Sequence, residues 1–249
     1  VRELLAAGRR PVRQVLLAEG QDESALLDEI EELARRRRVR VERVSARRLE
    51  STARTESPQG VVALAAPVSE VELEDLCRPV GGRPPFLVVL DGVTDPHNLG
   101  AVLRSAVCAG VSGAVLPRHR AAHLTPAVTK AAAGAIEHLP MAVVAGVPSA
   151  LRQLAVRGVW TLGLASEARR SLWDSALADE PLALVLGSEG DGLSALVRKR
   201  CDELVAIPQA GAPASLNVSA AAAVACFEVA RRRAEAGSTD GGRRSKEVG

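Results

Sequence analysis

"FLVVLDGVTDPHNLGAVLRSAVCAG", residues 86–110, is the stretch that decides the fold. Phe86 to Leu90 is a continuous apolar run, the pattern of a strand covered on both faces. The chain then turns polar through Asp95, Pro96, His97 and Asn98, and an apolar helical pattern follows that carries Arg104. Packing alone gives no reason to end a buried strand in such a loop. In open parallel sheets, ligands bind outside the carboxyl ends of the strands, so this loop is a candidate site.

The same alternation continues downstream. "GAVLP" (113–117), "MAVVAG" (141–146), "VWTLGLA" (159–165), "LALVLG" (182–187) and "ELVAIP" (203–208) read as strands. Helices are predicted over 125–139, 148–157, 192–200 and 215–234. Short apolar strands separated by helices imply an α/β domain with a mostly parallel sheet, here residues 86–235. Residues 1–66 form a smaller α/β unit, with strands near 11–20, 39–44 and 60–66 and helices over 22–38 and 45–51. Between the two, 67–85 turns acidic and ends in Gly and Pro, a linker by composition. The Gly-rich polar tail, 236–249, is expected to be disordered.

With 249 residues the chain is long enough for two such domains. The net charge is only +2, yet all but Lys130, Lys199 and Lys246 of the 32 basic residues are arginine. Arginine offers planar, forked donors suited to phosphate, although a GC-rich genome produces the same bias. Two Phe, two Trp and no Tyr argue against stacking as the main mode of recognising single-stranded bases. The four cysteines show no CxxC pairing, which fits a reduced, cytoplasmic protein without a zinc site. No apolar run approaches the roughly 20 residues of a membrane helix.

Three polar segments fall at strand ends: "DGVTDPHNLG" (91–100), "GSEGDG" (187–192) and "PQAGAPASLN" (208–217). A dinucleotide site would carry GxGxxG after the first strand, whereas Gly187, Gly190 and Gly192 follow a late strand and enclose Glu189 and Asp191, which would repel a pyrophosphate. No GxxxxGK[ST] occurs, which excludes a P-loop. Taken alone, "GSEGDG" is read as a tight loop that leads into a helix. Ser215 is placed to cap the helix that follows it, with Asn217 in the first turn. His97 is read as shaping its loop. His119 and His123, in "HRAAH", lack the glutamate of a zinc protease motif, so no metal site is expected. The runs Arg35–Arg38 and Arg231–Arg233 close helices and read first as solvated ends, with contact to RNA phosphate as the alternative.

Together and in this order, "LDGVTDPHNLGAVLRSA", "LALVLGSEGDGLS" and "IPQAGAPASLNVSAAAAVACFE" resemble the three motifs of the SpoU branch of the SPOUT RNA methyltransferases, the TrmH family. Asn98 with Arg104, Glu189 within its glycine loop, and Ser215, Leu216 and Asn217 all stand at family positions. The resemblance implies a deep C-terminal trefoil knot, a homodimer, and S-adenosylmethionine as methyl donor. It also implies a structured RNA partner, with a guanosine of 23S rRNA as target, and a small RNA-binding domain ahead of the catalytic one. Carried over by position, Gly187, Ser188, Gly190, Ile207, Pro208, Leu216 and Asn217 would hold the cofactor. Asn98, Arg104, Glu189, Ser215 and Asn217 would be catalytic.

The implied reaction moves a methyl group from a sulfonium to a ribose 2′-oxygen and needs no metal. Because a guanidinium keeps its proton in a protein, Arg104 is expected to hold the target phosphate and stabilise the forming alkoxide rather than act as a base. Asn98 would position that arginine or the ribose, the six residues between them returning Arg104 to roughly the same helix face. Glu189 and Ser215 stay open as proton acceptors. The competing expectations are a tRNA or antibiotic-resistance rRNA methyltransferase, a non-catalytic RNA-binding assembly factor, and a nucleotide-binding Rossmann enzyme.

Overall fold

The computed structural model describes residues 1–20, 24–53, 58–119, 124–211 and 215–244. Its first part is built from α1 (Arg2–Ala7), β1 (Val12–Ala18), α2 (Ala25–Arg36), β2 (Arg40–Val44), α3 (Ala46–Ala53) and β3 (Val61–Ala65). β1 is the central strand, parallel to β2 and antiparallel to β3. Its side chains alternate between two small cores: Val15 and Leu17 pack with Leu5, Ile30 and Ala34, and Leu16 packs with Val44 and Leu49. Ser24 begins α2, its hydroxyl accepting from the Leu27 N–H at 3.3 Å.

The second part comprises α4 (Leu73–Leu76), β4 (Phe86–Asp91), α5 (Pro96–Cys108), β5 (Gly113–Pro117), α6 (Pro126–Ala131), β6 (Met141–Val144), α7 (Val147–Val156), β7 (Trp160–Leu164), β8 (Arg170–Ser171), β9 (Leu182–Gly187), α8 (Ala195–Arg198), β10 (Glu203–Ala206) and α9 (Val218–Arg244). The strands form one parallel sheet in the order β6-β5-β4-β9-β7-β10-β8. In β4, Phe86, Val88 and Leu90 face a core shared with α5 and α9, while Leu87 and Val89 face a core shared with α7. Both faces are covered, which is why the strand reads as an unbroken apolar run.

Several expected elements change. The helix over 125–139 breaks: Ala133 and Gly134 adopt φ of 49° and 88°, and only a 3-10 turn, Ala135–Glu137, follows α6. Two left-handed residues in succession cannot continue a right-handed helix. The helix over 192–200 shrinks to α8, because Gly192 and Leu193 still belong to the preceding loop. The stretch treated as linker is not all free chain. Leu73 and Leu76 of α4 are buried against the sheet, and the Val71 N–H donates to the Met141 carbonyl at 2.9 Å. The start of the tail, expected to be disordered, is corrected to a continuation of α9 as far as Arg244, since extending an existing helix gains a hydrogen bond per residue. Residues 245–249, like His123, lie outside the described residues. α1 has no counterpart in the pattern reading, being too short to show a helical period.

The two parts meet at a buried ion pair. Glu137, only 4% exposed, accepts from Arg10 Nε at 2.9 Å and Nη2 at 2.5 Å, while Arg10 Nη1 donates to the Ala66 carbonyl at 2.6 Å. Glu3 and His138 add a second pair at 2.8 Å. Removing one partner of a buried pair strands the other charge, at a cost near the low end of about 3–5 kcal/mol because Arg10 keeps some solvent contact. Glu137→Ala is therefore expected to lower the denaturant midpoint and to let the small domain unfold ahead of the large one in calorimetry. A single transition at the wild-type midpoint would show that the pair does not hold the two parts together.

Candidate active site

The sheet order reverses between β4 and β9. From β4 the chain runs outward through β5 and β6, and β9, which comes much later, pairs on the other side of β4 with Asp91 opposite Gly187. Loops after strands on either side of such a reversal part from one another and leave a crevice. Three loops reach this edge: 92–95 after β4, 188–194 after β9, and the segment after β10, which pairs with β7 beside β9.

The first loop ends in a helix start fixed by sequence. Asp95 caps α5, its carboxylate accepting from the N–H groups of His97 at 3.1 Å and Asn98 at 3.3 Å, and Pro96 occupies the first turn, where no N–H is needed. His97 serves the turn through its backbone and leaves its ring exposed. Asn98 faces the crevice. Its Nδ2 donates to Glu189 Oε1 at 2.8 Å, and its Oδ1 accepts from Asn217 Nδ2 at 3.1 Å. Asn217 Nδ2 also donates to Glu189 Oε1. One residue from each of the three loops thus meets in a closed triangle of hydrogen bonds.

Asn217, and not Ser215, caps α9: the helix begins at Val218, and Asn217 Oδ1 accepts from Ser219 N at 2.8 Å and Ser219 Oγ at 2.6 Å. Asn217 therefore both starts the last helix and joins the triangle. The loop after β9 is closed on itself by reciprocal bonds between Ser188 and Gly192, 3.0 and 3.1 Å. It is tied to β4 by Asp91, whose carboxylate accepts from Ser194 N at 2.8 Å. Gly187 is required there, because a Cβ would overlap the backbone of Gly192.

Beside the triangle lies a cleft lined by Gly187, Ser188, Glu189, Gly190, Ile207, Ser215 and Leu216, all expected from the sequence. Leu164, Ala165, Ser166 and Gln209 also line it and were not expected. The strand-end rule applied to 160–164 would have found the first three. Pro208 is exposed beside the cleft rather than in its wall, and neither Asn98, Asn217 nor Arg104 lines it. Glu189 is the single charged side chain among the described residues of the wall. A wider cleft between the two parts, lined by Leu4, Arg10, Val61 and Leu124, meets none of the three loops.

Arg104 stands apart. Six residues turn a helix through about 600°, some 120° short of two full turns, so Arg104 does not share the face of Asn98. It is exposed, and among the described residues it makes no ion pair or hydrogen bond. The arginines at the end of α9 do the opposite. Arg231 and Arg232 pair with Glu228, whose carboxyl is pushed down to about 2 chiefly by its hydrogen bond from Arg231, and Arg233 donates to the carbonyls of Pro84, Pro85 and Glu180. These three arginines brace the helix. Burial pushes the thiols of Cys201 and Cys226 up to about 12, so neither is a nucleophile at neutral pH.

Comparison with known proteins agrees with this geometry. Residues 85–227 match the SpoU rRNA Methylase family, and residues 1–71 match the domain described as RNA 2′-O ribose methyltransferase substrate binding. A 23S rRNA (guanosine-2′-O-)-methyltransferase RlmB of Xanthomonas campestris is 44% identical over 225 residues, 89% of each chain. The RlmB of Photobacterium profundum is 39% identical over 229 residues, 90% of this chain and 91% of its own. Among solved structures, the SpoU methyltransferase AviRb from Streptomyces viridochromogenes in complex with AdoMet superposes with a TM-score of 0.78 at 26% identity, over 94% of this chain and 87% of that one. By its three motif loops, their shared crevice and these matches, the chain belongs to the SpoU rRNA methylase family.

Proposed function

We propose that the protein transfers a methyl group from S-adenosylmethionine to the ribose 2′-oxygen of a guanosine in 23S rRNA. The observation that carries this reading is the cleft whose only charged wall residue among those described is Glu189. A carboxylate suits a cationic sulfonium and disfavours a nucleotide pyrophosphate. Leu164, Leu186, Ile207 and Leu216 give the same cleft an apolar side for an adenine ring. The RlmB relatives, which align over both parts of the chain, support 23S rRNA as the target.

When bound, the cofactor supplies an electrophilic methyl group on sulfur, which leaves as a neutral thioether. The chain's task is to bring a ribose hydroxyl in line with that methyl and to stabilise charge as it develops on oxygen, effects that together are worth several kcal/mol. Asn98 and Asn217 fix Glu189 through its Oε1, which leaves Oε2 to accept the hydroxyl proton. Arg104, exposed and without an ion pair among the described residues, is available to a phosphate of the incoming RNA and to the alkoxide beside it. The same reading includes a homodimer, supported by Val224 and Phe227, which stand exposed on α9 where it packs against α5. It includes the trefoil knot, supported by the insertion of β9 and β10 between earlier strands. A cytoplasmic location belongs to it as well; among the described residues no helix is long and apolar enough to cross a membrane.

Two variants test the division of labour. Arg104→Ala is expected to lower kcat at least ~100-fold while cofactor affinity measured by calorimetry is unchanged; undiminished turnover would remove Arg104 from the mechanism. Gly187→Ala is expected to destabilise the fold by about 1–3 kcal/mol and to abolish cofactor binding, because the added methyl displaces Gly192 and with it the cleft wall. Wild-type affinity in this variant would show that the cofactor lies elsewhere.

A further inference from the structure

The run Arg35–Arg38 has no part in the cleft. The end of α2 meets the turn after α1 in a surface hollow whose wall includes Gly8, Pro11 and four arginines, Arg9, Arg10, Arg36 and Arg37, with no carboxylate among its lining residues. Two of these cations are neutralised, Arg10 by Glu137 and Arg36 by Glu32 at 2.8 Å. Among the described residues the other two have no carboxylate partner: Arg9 Nη1 donates to the His138 carbonyl at 3.2 Å, and Arg37 Nη2 to the Ala6 carbonyl at 2.9 Å. A neutral carbonyl orients a guanidinium without cancelling its charge, so each fork keeps donors for an anion.

The backbone adds two observations. Gly8 has φ +58° and ends α1 as its left-handed cap, its N–H donating to the Leu4 carbonyl, so a glycine sets the turn that carries Arg9 into the hollow. The residue after Arg37 adopts φ 56°, a left-handed conformation in which helices ordinarily end on glycine, yet it is Arg38.

We propose that this hollow seats a phosphodiester of the RNA backbone, gripped by Arg9 and Arg37. The proposal rests on the reading of the protein as an RNA-modifying enzyme and extends it to a specific contact on the small domain. An anion there would accept from two forks whose positions are already fixed, which limits the entropy lost on binding. The contact reads no base, so it sets affinity and orientation rather than sequence.

The test is the affinity of the full chain for protein-free 23S rRNA transcribed in vitro, followed by fluorescence anisotropy across a salt series. In Arg9→Gln/Arg37→Gln, affinity is expected to fall about tenfold, and the slope of log affinity against log salt to become shallower by about 0.7–0.9, the loss of one phosphate contact. Arg152→Gln, which removes an exposed charge from α7, is expected to match the wild type. Because Arg37 also caps α1, Arg9→Gln alone is measured beside the double variant and leaves that cap intact; wild-type affinity and slope in Arg9→Gln would overturn the proposal. Binding is read separately from methyl transfer. A wild-type protein that binds the RNA but never methylates it would overturn the proposed reaction and leave the seat standing.

Discussion

The pairing of β4 with β9 is the constraint on which the site depends. In sequence the two strands are separated by four other strands of the same sheet, β5 to β8, and by the helices α5 to α7, yet they lie side by side for their whole length, from Phe86 opposite Leu182 to Asp91 opposite Gly187. Each is buried on both faces, so a shift of register by one residue would exchange the side chains offered to the two cores. Fixing that register fixes where both strands end, and the two loops therefore emerge next to each other. Asp91 takes the Ser194 N–H across this junction, so the last residue of one strand holds the loop that follows the other.

The triangle of Asn98, Glu189 and Asn217 converts adjacency into geometry. Asn98 is placed by the cap of α5, Glu189 by a loop that closes on itself, and Asn217 by being the cap of α9. Each is positioned by a local rule before it meets the others. Their mutual bonds then fix the Glu189 carboxylate between two amide donors. The cleft beside the triangle is otherwise apolar or neutral, so that single charge dominates the field within it. The same carboxylate that would attract a sulfonium would repel an anionic nucleotide.

Legibility followed the range of the interaction involved. The strands of the parallel sheet were readable because burial on both faces writes itself into consecutive apolar residues, and the helix start at Pro96 because capping is local. The residues of the cleft were found largely through family resemblance, since glycine loops read in isolation are only turns. Three things were hidden. The break after α6 depends on Ala133 adopting a left-handed conformation, which its side chain does not announce. The docking of Leu73 and Leu76 rests on two apolar residues in an acidic stretch, where composition masks the pattern. The cap of α9 falls on Asn217 rather than Ser215 because Asn217 answers to two partners at once, and only the assembled fold brings the second one near.

Arginine usage closes the argument from composition. A chain with 32 basic residues, nearly all arginine, invites the inference that it binds nucleic acid, but many of these groups serve the protein itself. Arg233 lies over Phe86 at 5.0 Å and reaches backbone carbonyls, Arg200 donates to the Pro148 carbonyl at 2.6 Å, and Arg10 joins the two parts. Planar forks that can satisfy several carbonyls suit the ends of a parallel sheet, where backbone acceptors are left without partners. The bias toward arginine is thus partly architectural. In the proposed reading the contacts to RNA fall to Arg104 on α5 and to Arg9 and Arg37 at the small domain, three of the arginines that form no ion pair among the described residues. An extended, stiff substrate held at two separated points loses rotational freedom that one contact would leave, and alignment of its ribose follows from that restriction.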